Sequence, residues 1–431
     1  MSRAMRTLAF GIVAALAAIA CTPQADQQPP SGLGGTVSVL VVWGGSELDS
    51  FRAMVAPFEE RTGTTVEIES TRDLNAVLQT RVEGGNPPDV AGLPGPGQMA
   101  EFARAGKLID LGSILNTAAM GQQYAADWLE LGKVDGKQVG IFIKASAKGF
   151  IWYDPQAWKA KGYEPPSDWD GLIELSRRMQ QDGTAPWCIG LESGDASGWP
   201  GTDWLEDIVL RQAGPDVYDR WYRGEIKWTS PEIKQAWETW GEIVATPRMV
   251  LGGGQGMVAT AFQTAGDPLF RDPPGCYMHH QASFITDFFV DNTPGLEPGT
   301  DFTFFGFPDI ETEHAGGLEV AGDLFGMFND TPQARELMKW LTTPDAQRIW
   351  VERGGALSPN NQVPDSAYPD DISRQIGGLL TGAKVARFDA SDLMPAAMNA
   401  AFWSGVLDYA QDPSRLDSIL AELDRVQAEA Y

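Results

Sequence analysis

Cysteine is scarce in this chain: there are three in 431 residues, Cys21, Cys188 and Cys276. None sits in a CxxC pair, so a zinc or dithiol redox centre built on cysteine is excluded. Histidine is equally rare. His279 and His280 are neighbours on a predicted strand and point to opposite faces, so they cannot share an ion, and no metal site or cofactor is expected. Basic residues are outnumbered, 32 against 58 acidic ones, for a formal charge of −26. A phosphate-binding face needs the opposite sign, which excludes a nucleic-acid partner. GxSxG, HExxH and P-loop spacings are missing, so no catalytic residue is predicted. GGGQG (252–256) lacks the GxGxxG spacing and a leading buried strand, and reads as a flexible loop. Beyond the N-terminus no apolar run is long enough to span a bilayer, and no repeat of solenoid length is evident.

What is present begins with size. A chain of this length suits two lobes rather than one core. Tryptophan is abundant, 15 against 9 tyrosines and 19 phenylalanines. Flat rings of this kind serve either cores or ligand platforms. The first twenty residues carry Arg3 and Arg6, an apolar run from Leu8 to Ala20, and then Ala18-Ile19-Ala20-Cys21. This pattern is a signal peptide, and it resembles the bacterial lipoprotein signal, in which the new N-terminal cysteine receives lipid. The resemblance implies lipidation of Cys21, against simple secretion; that signal usually has Leu three positions before the cysteine, where this chain has Ala18. Residues 21–35 are polar and rich in Pro, Gly and Gln, as a tether would be. Export to an oxidising compartment predicts that Cys188 pairs with Cys276; the alternative is two buried thiols.

TVSVLVVW (36–43) is a β-branched run suited to a buried parallel strand. In the following segment Leu48, Phe51, Met54, Val55 and Phe58 form one helical stripe that ends at Gly63, and TTVEIE (64–69) alternates as a strand. DVAGL (89–93) and a helix near 97–105 continue this βαβ rhythm. Residues 137–158 read as strand, break, strand and a helix opened by Asp154 and Pro155. A helix follows at 228–244, strands at CYMHHQASFI and FTFFGFP, and two helices with Thr-Pro starts after Asp330. TDWLEDIVLRQAG reads as a helix with Thr202 as its cap and Trp204 on its apolar face, leaving Trp199 in the preceding loop. The expected fold is α/β, with two lobes, each a mostly parallel sheet flanked by helices. In such folds ligands sit beyond the carboxyl ends of strands.

The order of VSVLVVWGGSELDSFRAMVAPFEERTGTTVEIE, GGNPPDVAGLPGPGQMAEFARAGKLIDL, DGKQVGIFIKASAKGFIWYDPQAW, PPSDWDGLIEL and PAAMNAAFWSGVLDYA resembles the extracellular solute-binding proteins of ABC sugar importers, the group that includes maltose-binding protein. LESGDASGWPGTDWLED and PPGCYMHHQASFI are most similar to the subgroup associated with α-glucosides and related oligosaccharides. The resemblance covers almost the whole chain. It implies one lobe of 36–143 plus 284–327 and another of 149–280 plus 330–431. The implied hinges lie near 143–147, 281–283 and 326–329. It also implies a carbohydrate ligand, delivery to permease subunits, a membrane held through the lipid anchor, and a monomer.

Sugars present flat C–H faces and hydroxyls that donate and accept, so platforms and paired polar groups are needed. Glu192, Ser193, Gln281 and Trp403 are assigned from positions the family uses; Gln281 replaces a family aromatic. Trp43 and Gly44, Arg72 and Asp73, Gly95 and Pro96, Trp199, Asp323, Asp392 and Met394 are assigned because their loops should face the cleft. Ordinary packing is the competing reading for Trp199 and Trp403, and solvent exposure for Glu192. Two further readings stay open: a secreted glycan-active enzyme using paired carboxylates, and the same fold holding a polyol or glycerophosphodiester through Arg72 and Lys144.

Overall fold

The computed structural model describes residues 32–93, 95–383 and 385–431. The signal segment and Cys21 lie outside the described residues. Among the described residues no helix is long and apolar enough to cross a membrane. In chain order the strands are β1 (Thr36–Val41), β2 (Thr65–Ser70), β3 (Val90–Leu93), β4 (Lys133–Val134), β5 (Lys137–Gln138) and β6 (Gly140–Ala147). They continue as β7 (Phe150–Tyr153), β8 (Ala185–Trp187), β9 (Cys276–Gln281), β10 (Thr303–Gly306), β11 (Gly317–Met327) and β12 (Val385–Phe388).

One sheet runs β2–β1–β3–β11–β12, with β6 also paired to β11; a second runs β8–β9–β7–β10. β1 pairs in parallel with β2 and β3, as its β-branched residues suggest for a strand buried on both faces. The helix Gly45–Thr62 buries Phe51, Met54, Val55 and Phe58 and stops at Gly63 in the left-handed region, φ 68°. In the second sheet β7 is antiparallel to both β9 and β10, and only β8–β9 is parallel. The two-lobed α/β expectation is met, but the second sheet is mixed rather than mostly parallel. Antiparallel pairing needs no helical crossover, so β7 takes the distant β9 and β10 as its partners while β6, two residues before it, stays paired to β11 in the other sheet.

β6 and β11 run antiparallel along most of their length and carry the chain between the two sheets. The N-terminal half of β11 pairs with β12, its C-terminal half with β3, and a bulge falls between Asp323 and Leu324. Ser283 and Ala147 exchange hydrogen bonds beside them, Ser283 N–H to Ala147 O at 2.9 Å and Ala147 N–H to Ser283 Oγ at 3.2 Å.

Two expected boundaries need correction. The helices Pro332–Leu341 and Pro344–Val351 do not join the second lobe: Leu337, Met338, Leu341 and Trp350 share one core with Val37, Phe51 and Met54. The chain returns to the second core only at Ala390, Met394, Phe402 and Val406. Nor does 284–327 stay in the first lobe, because β10 is an edge of the second sheet. The Thr-Pro starts were read correctly, with Thr331 and Thr343 accepting from Ala334 N–H and Ala346 N–H. The helix containing Trp204 begins earlier than expected, at Trp199, after Gly198 at φ 113°. Thr202 lies inside it and bonds back to Trp199 O at 2.9 Å. Cys188 and Cys276 are disulfide-bonded, closing a span of 88 residues.

Candidate functional site

Between the sheets lies a cleft of about 210 Å³. The ends of β1 and β3, the turn after β2, the crossing strands β6 and β11, and the start of the Trp199–Gln212 helix all contribute to it. Trp43, Arg72, Ser193, Trp199, Asp323, Asp392 and Trp403 line the cleft. The other assigned positions do not. Gly44 caps the helix Gly45–Thr62, and Gly95 precedes the helix Pro96–Arg104, whose first residue is Pro96. Asp73 turns to the rim. Glu192 accepts from Gly194 N–H at 3.0 Å and so shapes the turn that presents Ser193. Met394 is a core residue. Gln281 is buried at the end of β9, where its side chain accepts from Ala282 N–H and its carbonyl accepts from Trp152 Nε1–H. Burial beside the crossing strands keeps that amide out of the cleft.

The cleft also contains groups that the sequence reading did not assign to a sugar, Lys144 having entered only in the polyol or glycerophosphodiester reading. Lys144, Ser146 and Lys148 alternate along one strand segment and share a face, a period-2 signal present in KASAK. Phe262 and Phe284 come from short turns without periodicity, so no pattern marked them. Their rings and Trp199 form one wall, with Trp199–Phe262 and Trp199–Phe284 centroids 5.0 and 6.0 Å apart. Trp43 lies deeper, 3% exposed, stacked on Phe325 and donating through Nε1 to Asp323 at 3.0 Å.

Two charge clusters form the floor. In the first, Lys144 Nζ donates to Glu47 at 2.8 Å and lies 3.7 Å from Asp323, while Arg72 stands 3.6 Å from Glu47. Burial opposes the Lys144 charge, but Glu47 and Asp323 outweigh it and raise its pKa. In the second, Lys148 Nζ donates to Asp203 at 2.7 Å and to Asp389, with Glu319 at 3.5 Å. Burial again opposes the ammonium, and Asp203, Asp389 and Glu319 outweigh it. Oxygens of Asp203, Glu319 and Asp389 lie within 4.8 Å of one another, the spacing of a cation site. The Lys148 ammonium supplies the positive charge there.

One ammonium does not balance this many carboxyls. Burial, and then the neighbouring acids, push Glu206 and Glu319 well above the carboxylate range. Asp203 reaches about 7, raised by burial more than Lys148 lowers it. Asp392, at the cleft surface, is raised by burial and by Asp389. A carboxyl held protonated can donate to a ligand as well as accept. Behind this cluster Asp207 lies 2.9 Å from His280 Nε2 and is bonded to Arg211, while His279 Nδ1 lies 2.9 Å from Cys188 O. Burial lowers both imidazole pKa values, His279 to about 4. The two histidines are thus separately committed.

Residues 44–348 match the model of the bacterial extracellular solute-binding protein family. The chain belongs to that family. It is 41% identical over 86% of its length, and 88% of the relative's, to the osmoprotective compounds-binding protein GgtB of Synechocystis sp.. It is 36% identical to the alpha-glucosides-binding periplasmic protein AglE of Rhizobium meliloti, covering 89% of this chain and 85% of that one. Among solved structures, a chitin oligosaccharide binding protein superposes with a TM-score of 0.80 at 18% identity, over 92% of this chain and 99% of that one. The fold is therefore the two-lobed solute-binding fold, and membership of this family makes the chain an exported solute-binding protein.

Proposed function

We propose that this solute-binding protein captures a carbohydrate, an α-glucoside or another oligosaccharide, between its lobes and hands it to the permease of an ABC importer. In this reading the protein does no chemistry, and Cys21 carries the lipid that keeps it at the membrane. The observation that carries the reading is the cleft's combination of flat rings and cations already paired with carboxylates. Arg72 lies over Phe262 at 5.4 Å, Lys144 over Phe284 at 5.6 Å and Lys148 over Trp199 at 5.7 Å. Resident cations thus occupy ring faces that would otherwise attract a cationic solute. The same cations are matched by Glu47, Asp323, Asp203 and Asp389, which leaves no net positive field for an anion such as a glycerophosphodiester. A neutral, hydroxyl-rich solute suits what remains. The relative that binds alpha-glucosides and the relative that binds osmoprotective compounds support a solute of this kind.

Calorimetry of the mature protein against neutral sugars, a uronic acid, glycine betaine and a glycerophosphodiester tests the proposal. Binding of a neutral glycoside without product formation is the expected result. Tight binding of a charged solute, with indifference to every sugar, overturns it. Truncating Trp199 or Trp403 to alanine is expected to weaken sugar binding at least tenfold, since a lost stacking ring removes about 1 kcal/mol beyond its burial.

A further inference from the structure

The lobes touch on two sides of the cleft, and each contact uses main-chain atoms. On one side Asp73 is the N-cap of the helix Leu74–Glu83, yet its side chain does not bond its own helix. Its Oδ1 instead accepts from Asp195 N–H across the cleft at 3.1 Å, and Asp195 Oδ2 accepts from Ala76 N–H, the third residue of that helix, at 3.3 Å. The cap is thus supplied by the opposite lobe. On the other side the start of the helix Pro96–Arg104 lies against 392–396, where Ala396 N–H donates to Glu101 at 2.9 Å. A Cβ on Gly97 would stand 1.9 Å from Met394 O, and one on Gly95 2.6 Å from Asp392 O, so no side chain fits that seam.

The first seam follows β2, the second follows β3, and β1 lies between those strands. Two strand spacings, about 10 Å, separate the ends of β2 and β3 from which the seams spring, with Trp43 after β1 between them. That width takes one sugar ring abreast, and the cleft, still open to solvent, has a volume of about 210 Å³, below the range of about 300–1,000 Å³ typical of drug-sized ligands.

We propose that closure walls the cleft on both sides of β1, so that the ligand is a glycoside of one or two rings and longer chains are refused, with Asp73 and Asp195 as the positioning pair that sets the limit. This rests on the carbohydrate reading above. Calorimetry and stopped-flow tryptophan fluorescence with glucose, maltose, trehalose, maltotriose and maltotetraose test it. A mono- or disaccharide is expected to bind at least 30-fold more tightly than either longer chain. Asp195→Ala is expected to speed dissociation of the short ligand about tenfold and to shrink the gap to the trisaccharide below fivefold. Asp195→Asn, which can still cap Ala76, restores wild-type behaviour. Equal or tighter binding of maltotriose and maltotetraose overturns the length limit alone, as does an unchanged gap in Asp195→Ala. Failure to bind any sugar overturns the carbohydrate reading and the limit with it.

Discussion

The Lys148 ammonium is bound by Asp203 and Asp389 and faces Glu319, with all four side chains buried. Removing one partner of a buried ionic group leaves uncompensated charge and typically costs about 3–5 kcal/mol. Lys148→Met is therefore expected to lower unfolding free energy by that order, read from urea denaturation. The same substitution should weaken ligand binding, because Asp389 and Asp392 lose the charge that organises the cleft floor. Lys148→Arg should recover stability only in part, since a planar guanidinium does not reproduce an ammonium held by Asp203 and Asp389 at once. This lysine was legible in principle, two and four residues beyond Ser146 and Lys144 on an alternating strand. What hid it was its charge: a lysine in a sequence is by default a solvated one.

Gly198 starts the Trp199–Gln212 helix at φ 113°, and a Cβ there would stand 2.5 Å from Trp403 O. Gly198→Ala meets both a left-handed backbone and a main-chain clash, so a loss of at least about 1–2 kcal/mol is expected from the conformation alone. The shift should also move Trp199 and Trp403 together, giving a larger drop in affinity than either alanine truncation; equal affinity in calorimetry would count against this linkage. The Cys188–Cys276 bridge should behave oppositely. Closing 88 residues, it stabilises by about 4 kcal/mol on the chain-entropy model, so the double serine variant should melt early yet bind ligand within twofold of wild type. Elements of this kind were readable: the β1 run, the Gly63 stop and the Thr-Pro caps carry local signals. The start of the Trp199 helix was not, because a glycine cap set by close packing against the distant Trp403 backbone leaves no trace beside Thr202, the more obvious capping residue.

Which helix belongs to which lobe is decided by long-range packing, and here local pattern has little to say. Pro332–Leu341 presents an apolar face that any sheet could bury, and it buries it against the helix Gly45–Thr62 almost 300 residues away in sequence. The same long-range assembly gathers more acids than cations at the lobe junction, and this has a consequence for the molecule as a whole. Burial, ahead of neighbouring charge, raises Asp203 and Asp287 to about 7 and lifts Glu206 and Glu319 well above the carboxylate range. Unfolded carboxyls titrate near about 4, so between these values the folded chain holds more protons than the unfolded one. A raised carboxyl contributes stability in full below the unfolded pKa, and the contribution is lost as pH climbs through the folded value. Asp207 and Asp389 act in the other sense. Burial raises them, but Arg211 with His280 at Asp207, and Lys148 with the hydrogen bonds from Asp392 N–H and Ser391 at Asp389, together lower them more. Their contribution is therefore present above about 4 and disappears in stronger acid. The two effects place maximum stability on the acid side of neutrality. Scanning calorimetry should give a higher melting temperature at pH 5.5 than at pH 7.5, and a melting temperature that climbs between those values would contradict the argument. Glu319→Gln replaces a carboxyl whose neutral form burial and Glu206 favour by its neutral isostere. It should match wild type only below about pH 4, exceed it increasingly at pH 5.5 and pH 7.5, and so flatten the slope between them.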